Sequence, residues 1–420
     1  MEQTEQQIKT SVKSILSRNF SLLVIGQFMS IFANQVLTFT LPLYLLYTTG
    51  SAALFGSVLG LSFLPFILTA PIAGIMADRF KKQKIMFWLD IAVTAVVLLY
   101  MIISGMFSTL VPIVVVKLVA LNAIQGMYAP TSQACVPFLI SEDKLVRANS
   151  VMETVNTLSN MAAPPAAGIL LAGFGIFPIL IICAVCFAIT SVIDLLIKIP
   201  YTKQSINESM TYIVKSDIVE AFRFIKKRQI LIKIAMLMFV LSAIVPAVYI
   251  VGVPVFLTQY LGLGTQYLGI GRGIAWGGGI LGGLLSGILG KKLTLQNVPM
   301  LSMLVSLSMV PLGVAIWIDV SYFTAFVIIV VADFMCGIVL IPYSIAIWTY
   351  LQAATPPALI GKVLSLFNGL PMAAMGIGFL IYGMLFERFA ATPWHVIFVS
   401  TFICCIAILL LWKYFKDITP

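Results

Sequence analysis

Apolar runs of about 20 residues, the length a helix needs to cross a hydrocarbon core, recur twelve times along this 420-residue chain. They cover roughly residues 20–47, 54–77, 85–104, 109–138, 151–172, 175–197, 230–257, 265–289, 297–318, 322–350, 360–384 and 393–412. In lipid, every backbone N–H and C=O must be satisfied within the segment, so a spanning run of this kind is a helix. The pattern predicts an all-α integral membrane protein with twelve transmembrane helices. Composition agrees. Hydrophobic residues make up 61% and charged ones 10%, with a mean hydropathy of +1.08. Soluble domains average about 45–50% apolar and about 25% charged.

The net charge of +10 does not indicate nucleic-acid binding, because the basic residues flank the apolar runs and read as topology signals. With the N-terminus placed in the cytoplasm, all 25 Lys and Arg except Arg388, Lys117 and Arg272 fall on the cytoplasmic side. Arg388 falls outside, and the other two lie within spans. This predicts a multi-pass plasma-membrane protein with both termini cytoplasmic. The polar stretch 1–19 is read as an inner tail, not a cleavable leader, and 413–420 as a second tail. One long polar segment, 200–229, divides the spans six and six, giving bundles over 20–199 and 230–412. Within it, Ile218, Phe222 and Ile225 recur at helical spacing, which predicts an amphipathic linker helix on the membrane surface.

The sequence carries little of the chemistry an enzyme needs. Its six cysteines lie in or beside apolar runs, and Cys183-Ala-Val-Cys186 has neither a companion pair nor a nearby His. His395 is the single histidine, so no metal site is expected. No G-x-x-x-x-G-K-S/T run is present, so no nucleotide site or other cofactor is expected. A membrane enzyme is the alternative of another class, disfavoured because no activated nucleophile or acid/base cluster is legible in the spans.

The two halves resemble each other. Gly74-Ile-Met-Ala-Asp78-Arg79, followed by Lys81, Lys82 and Lys84, closes the second span. Gly283 and Gly287, followed by Lys291 and Lys292, close the eighth. Pro130 and Pro342 hold similar places in spans four and ten, and Arg147 and Lys362 precede spans five and eleven. Two pseudo-symmetric six-helix bundles are a secondary-transporter plan with the substrate site near the midplane. The loop from Gly74 to Lys84 matches the G-x-x-x-D-R-x-G-R-R/K motif of the major facilitator superfamily, except that Phe80 and Lys81 replace the x-Gly step. On this motif the chain resembles that superfamily over essentially its whole length. Within it the chain looks most like the drug-efflux branch that includes the macrolide-efflux proteins.

The resemblance implies a monomeric secondary exporter working by alternating access. Gly74, Asp78, Arg79, Lys82, Arg147 and Lys362 would form its gating motif. Ala163-Pro164-Pro-Ala-Ala-Gly168 resembles the span-five antiporter motif G-P-x-x-G-G, with Pro164 and Gly168 matching, and leans transport outward. The span-four R-x-x-Q-G motif of proton-coupled exporters keeps Gln125-Gly126 but has Asn122 in place of Arg. Ionisable residues inside a membrane are costly and mark function. Asp333 in span ten and Lys117 in span four are therefore the proton-coupling candidates, the acid carrying the proton and the lysine tuning it. Arg272 is expected to snorkel to the outer interface. Asp90, Glu153 and Asp194 are expected in an inner charge network with Asp78, Arg79 and Arg147. Gly279, Gly283 and Gly287 are expected to form a close-packing stripe. The resemblance has spans one, four, seven and ten line the cavity, so Gln27, Asn34, Gln35, Tyr249, Tyr343 and Trp348 are the candidate substrate contacts. A mostly apolar cavity suits a lipophilic drug-like cargo, a macrolide-type antibiotic foremost, with protons as coupling ion. An amphipathic metabolite such as a lysophospholipid or siderophore is the alternative cargo.

Overall fold

The computed structural model describes residues 17–104, 111–141, 144–199, 219–318, 320–356 and 359–416. Within them the chain is almost wholly helical. Twelve long helices follow in order: α1 Arg18–Thr49, α2 Ala52–Arg79, α3 Lys82–Ser104, α4 Val111–Gln133, α5 Leu145–Phe174, α6 Ile176–Leu196, α7 Gln229–Tyr260, α8 Thr265–Leu289, α9 Leu295–Trp317, α10 Tyr322–Ala354, α11 Ile360–Arg388 and α12 Pro393–Lys416. Ten stretches among the described residues are long and apolar enough to cross a membrane. The α5 stretch falls short of that measure for a visible reason: its first half carries Asn149, Ser150, Glu153, Asn156, Ser159 and Asn160. Residues 219–226 form a further short helix in the predicted linker.

Local chemistry explains several of the boundaries. Gly50 and Gly175 end α1 and α5 at φ of 66° and 74°, a backbone region in which a side chain is strained. Ser321 caps α10 by accepting a bond from the Thr324 N–H. The free N–H groups at the start of α2 are met from another helix. The Glu387 carboxylate accepts from the Ala53 N–H at 2.9 Å and from the Ser51 hydroxyl at 2.5 Å, a favourable place for an anion.

The helices group into two compact units. One holds the described chain up to Leu41 and from Leu64 through α6; the other holds Pro42–Phe63 and everything from residue 219 onward. Two helices therefore pass from one unit to the other, α1 at Pro42 and α2 beside Pro65. Proline removes an i→i−4 hydrogen bond and permits bending there.

In the first unit, α3 packs on α4 and α6. A core of Phe20, Leu23, Met86, Tyr128, Cys135, Met152 and Ile197 fills one end. In the second unit, α8 lies against α10 and α7 against α11. Here backbones meet directly. A Cβ at Gly278 would run into the Phe334 carbonyl, and one at Gly282 would stand 2.6 Å from the Ile338 carbonyl oxygen. Gly56 and Gly60 of α2 meet Gly383 and the Gly376 carbonyl of α11 in the same way. Small residues provide this contact because hydrocarbon gives no hydrophobic drive between helices, leaving close packing to do it.

The expected stripe on α8 is corrected by one residue. A Cβ at Gly283 or Gly287 would meet nothing within 4 Å, and one at Gly279 would only touch Ile341 at 3.8 Å. The contact face carries Gly278 and Gly282, about 100° round the helix. A run reading Gly277-Gly278-Gly279 and Gly282-Gly283 offers the same four-residue spacing in two registers, and only the partner helix selects one. Gly278→Ala should accordingly lower stability by about 1–3 kcal/mol, while Gly283→Ala should stay within about 0.5 kcal/mol. Thermal unfolding of the purified protein in detergent measures both, and the opposite ranking would restore the expected stripe.

Candidate functional site

The close approach of α8 and α10 brings two intramembrane charges together. Arg272 of α8 donates from Nη1 to Asp333 Oδ2 of α10 at 3.0 Å, an ion pair that is also a hydrogen bond. Gly271, next to Arg272, allows it, since a Cβ there would stand 3.0 Å from Val330. The pair borders a small cavity of ≈ 10 Å³, on the scale of one water. Its other walls are Val253, Leu257, Leu268, Gly271, Ile329 and Val330, all without a polar side-chain atom. In such surroundings each charge depends on the other, because an unpaired ion is far costlier there than in water. Arg272 is thus engaged inside the bundle, and its expected reach toward the interface is corrected by this pairing.

The cavity wall on the α7 side is irregular helix. Residues Val248–Gly252 and Phe256–Tyr260 form π turns, with Pro246 before the first and Pro254 between the two. Proline cannot donate its backbone bond, and insertion of a π turn is one way a helix absorbs that loss. π turns inside α-helices gather at functional sites. Tyr249, in the first π turn, is buried, and its hydroxyl pairs with Ser308 at 2.8 Å and reaches the Ala332 carbonyl at 3.4 Å. Ala332 neighbours Asp333, so α7, α9 and α10 are tied at the level of the ion pair.

Lys117 has surroundings of its own in the other unit. It is 2% exposed, and its ammonium sits 4.0 Å from the centroid of the Tyr100 ring, without a hydrogen bond. A desolvated cation over an aromatic face gains about 2 kcal/mol or more. The two predicted coupling residues therefore each have their own neighbour, Arg272 for Asp333 and Tyr100 for Lys117.

The remaining predicted residues divide by surroundings. Gln27 is buried, and its side-chain oxygen accepts from Ser132 of α4; the Gln35 amide donates to Asn160 of α5. Both tie α1 to its neighbours. Asn34 is buried, Trp348 half-buried, and the Tyr343 hydroxyl is buried without a hydrogen bond. Pro164 and Gly168 are buried in a continuous α5. Of the gating motif, Gly74, Asp78 and Arg79 lie in the last turns of α2, but their side chains fall outside the described residues. Lys82 is buried, 4.5 Å from the Phe138 ring centroid, and Arg147 is exposed. Lys362 donates to Glu220 at 2.6 Å, and Arg228 donates to the Ala354 carbonyl at 2.7 Å. These two bonds hold the 219–226 helix and its exit to α11 and α10.

Sequence reasoning missed the Arg272 partner. The available signal was a cation about two helical turns in from its predicted interface and directly after Gly271. Choosing between partners required the register of α8 on α10.

The sequence profile of the Major Facilitator Superfamily matches residues 23–379. Macrolide efflux protein A of Streptococcus pyogenes is 24% identical over 395 residues, covering 91% of this chain and 93% of that protein. Lysophospholipid transporter LplT of Pectobacterium carotovorum subsp. carotovorum is 30% identical over 187 residues, 44% of this chain and 43% of that protein. Among solved structures, a bacterial homologue of the iron transporter ferroportin in its inward-facing state superposes with a TM-score of 0.72 at 17% identity, covering 96% of this chain and 100% of that one. The nucleoside transporter NupG superposes at 0.71 and 16% identity, covering 95% and 99%.

The ion pair has a testable energetic signature. Arg272→Ala should destabilise the protein by about 2–3 kcal/mol by leaving a mostly buried carboxylate unpaired. The double replacement Arg272→Met with Asp333→Leu should recover most of that loss, since two apolar side chains need no partner. Thermal unfolding of the two variants decides it; equal losses would mean that the charges do not depend on each other.

Proposed function

The chain belongs to the major facilitator superfamily, whose members are membrane transporters and not enzymes, and from that premise we propose that it exports a lipophilic drug-like compound in exchange for protons. The cargo class is a macrolide-type antibiotic. What supports this cargo is similarity to macrolide efflux protein A along nearly the full length of both chains. A lysophospholipid is the second reading, favoured by the higher identity to LplT over a shorter stretch.

The observation that carries the coupling mechanism is the Arg272–Asp333 pair beside the π-turned α7. When Asp333 is ionised, Arg272 holds it and draws α8 and α10 together. When Asp333 takes up a proton, the attraction falls to that of a single hydrogen bond and Arg272 is left with an uncompensated charge, so the guanidinium seeks water or substrate. One proton thus switches the packing of two helices whose backbones already touch. The π turns in α7 supply a wall able to rearrange without unfolding. Tyr249, Tyr343 and Trp348 are the aromatic contacts proposed for the cargo, with Gln27, Asn34 and Gln35 on α1. Lys117 is assigned a supporting electrostatic role in its own unit.

The transport cycle in this reading is alternating access by a monomer in the plasma membrane, with both termini in the cytoplasm. The halves proposed for this cycle are 20–199 and 230–412, joined by the 200–229 linker. Gly74, Asp78, Arg79, Lys82, Arg147 and Lys362 gate the inner side, and Pro164 with Gly168 allows α5 to flex.

Reconstitution into vesicles with an imposed pH gradient tests the whole reading. Wild-type protein should move a macrolide against its gradient, and collapsing the pH difference should stop it. Asp333→Asn should lower gradient-driven export at least about tenfold, equivalent to about 1.4 kcal/mol in a barrier, while leaving downhill movement. Full gradient-driven export by Asp333→Asn would overturn the proton role, and transport of lysophospholipid alone would replace the cargo.

A further inference from the structure

The first unit contains a second ionisable centre that the export reading does not use. Asp90 of α3 and Asp194 of α6 are 1% and 0% exposed. Asp90 accepts from Ser30 of α1 at 3.4 Å and from Thr190 of α6. Thr190 and Asp194 are one helical turn apart, so Asp194 shares the face of α6 that meets Asp90 through Thr190. Both oxygens of Asp194 are buried with no hydrogen-bond partner. The hydroxyl of Tyr128, on a 2% exposed residue of a third helix, α4, lies beside Ser30 of α1. Gly26 of α1 packs against this face of α6: a Cβ there would stand 3.3 Å from Ile193 Cγ2 and 3.8 Å from Asp194 Oδ1.

Among the described residues no cation answers these two acids. The titratable side chains facing them are Tyr128 and Cys135 of α4, with Lys82 of α3 nearer the end of the bundle. Lys82 reaches the Phe138 ring rather than a carboxylate. Lys117 is beyond range. It neighbours Tyr100 and Cys183, ten and eleven residues along α3 and α6 from the acids, or about 15 Å at 1.5 Å per residue. Of the expected inner charge network, Arg147 and Glu153 of α5 stand exposed, and the side chains of Asp78 and Arg79 fall outside the described residues. Two buried acids, one with both oxygens unpaired, call for a proton or a cation, since buried charge without a partner is neutralised or does not persist.

We propose that Asp90, Asp194, Ser30, Thr190 and Tyr128 form a binding site for one small monovalent cation, sodium or a proton. All five donors are oxygen, the set that hard cations prefer. Two carboxylates are balanced by one monovalent cation and one retained proton, or by two protons, so that no net charge stays buried. The cation ties α1, α3, α4 and α6 together at the position where Tyr128 joins the core of Phe20, Leu23 and Met86. This goes beyond the export reading, involving different helices in the other unit and standing whatever the cargo is.

Thermal unfolding of the full-length purified protein tests it, comparing sodium chloride with choline chloride at equal ionic strength and at mildly acidic and mildly alkaline pH. If sodium is the ligand, it should raise Tm by roughly 3 °C or more at alkaline pH, and Asp194→Asn should abolish the rise. If the proton is the ligand, the two salts should agree, while acidification stabilises wild type and not Asp194→Asn. Tyr128→Phe and Ser30→Ala each remove one oxygen without changing charge and should weaken the same response, so the test survives if Asp194→Asn fails to fold. Asp333→Asn should keep the response, which separates this site from the coupling pair. Identical salt and pH responses in wild type and in the variants would overturn the proposal.

Discussion

A chain immersed in hydrocarbon must hold a partner for every buried charge among its own helices, because lipid tails will not supply one. The rest of this structure can be understood from that constraint. Helix is the only secondary structure the spans can adopt. Once the backbone is satisfied, the sparse polar side chains decide which helix faces can meet. Asp333 meets Arg272 in the register that α10 takes on α8. The glycines at 271, 278 and 282 then permit the backbone contact that the register demands. Charge pairing and small-residue packing are thus one arrangement viewed at two scales.

The same constraint explains why function collects where regularity fails. In α7 two prolines interrupt the hydrogen-bond ladder, and π turns absorb the defect next to the ion pair. In the first unit, the acids at 90 and 194 are buried beside hydroxyls instead of a base. A regular apolar helix has one stable packing. A helix with a broken ladder or an unanswered acid has alternatives close in energy, and a transporter needs such alternatives. The prolines at 42 and 65, where α1 and α2 pass from one compact unit to the other, belong to the same set of local weaknesses.

Much of the fold was legible because helical spans need only length and apolarity. The twelve runs are found as twelve long helices, with boundaries moved by a few residues. Asp333 was legible as an outlier in an apolar run. Its partner was not, because Arg272 and Lys117 were equally plausible cations on sequence grounds and pairing depends on helix rotation. The α8 glycines show the same limit on a smaller scale: two registers with identical spacing, of which packing selects Gly278 and Gly282. Asp90 and Asp194 are 104 residues apart; sequence places both near helix ends, but it cannot bring α3 and α6 together.

By itself the sequence determined the class of protein: an all-helical membrane chain, its spans, its family and the presence of rare charges within it. These follow from local quantities, hydropathy over one span and the spacing of a short motif. Tertiary structure decided which charges are partners, which glycine face carries backbone contact and which acids are left without a base. Those outcomes depend on rotations and offsets between helices, and a rotation of about 100° per residue separates one reading from another while leaving composition, spacing and hydropathy unchanged.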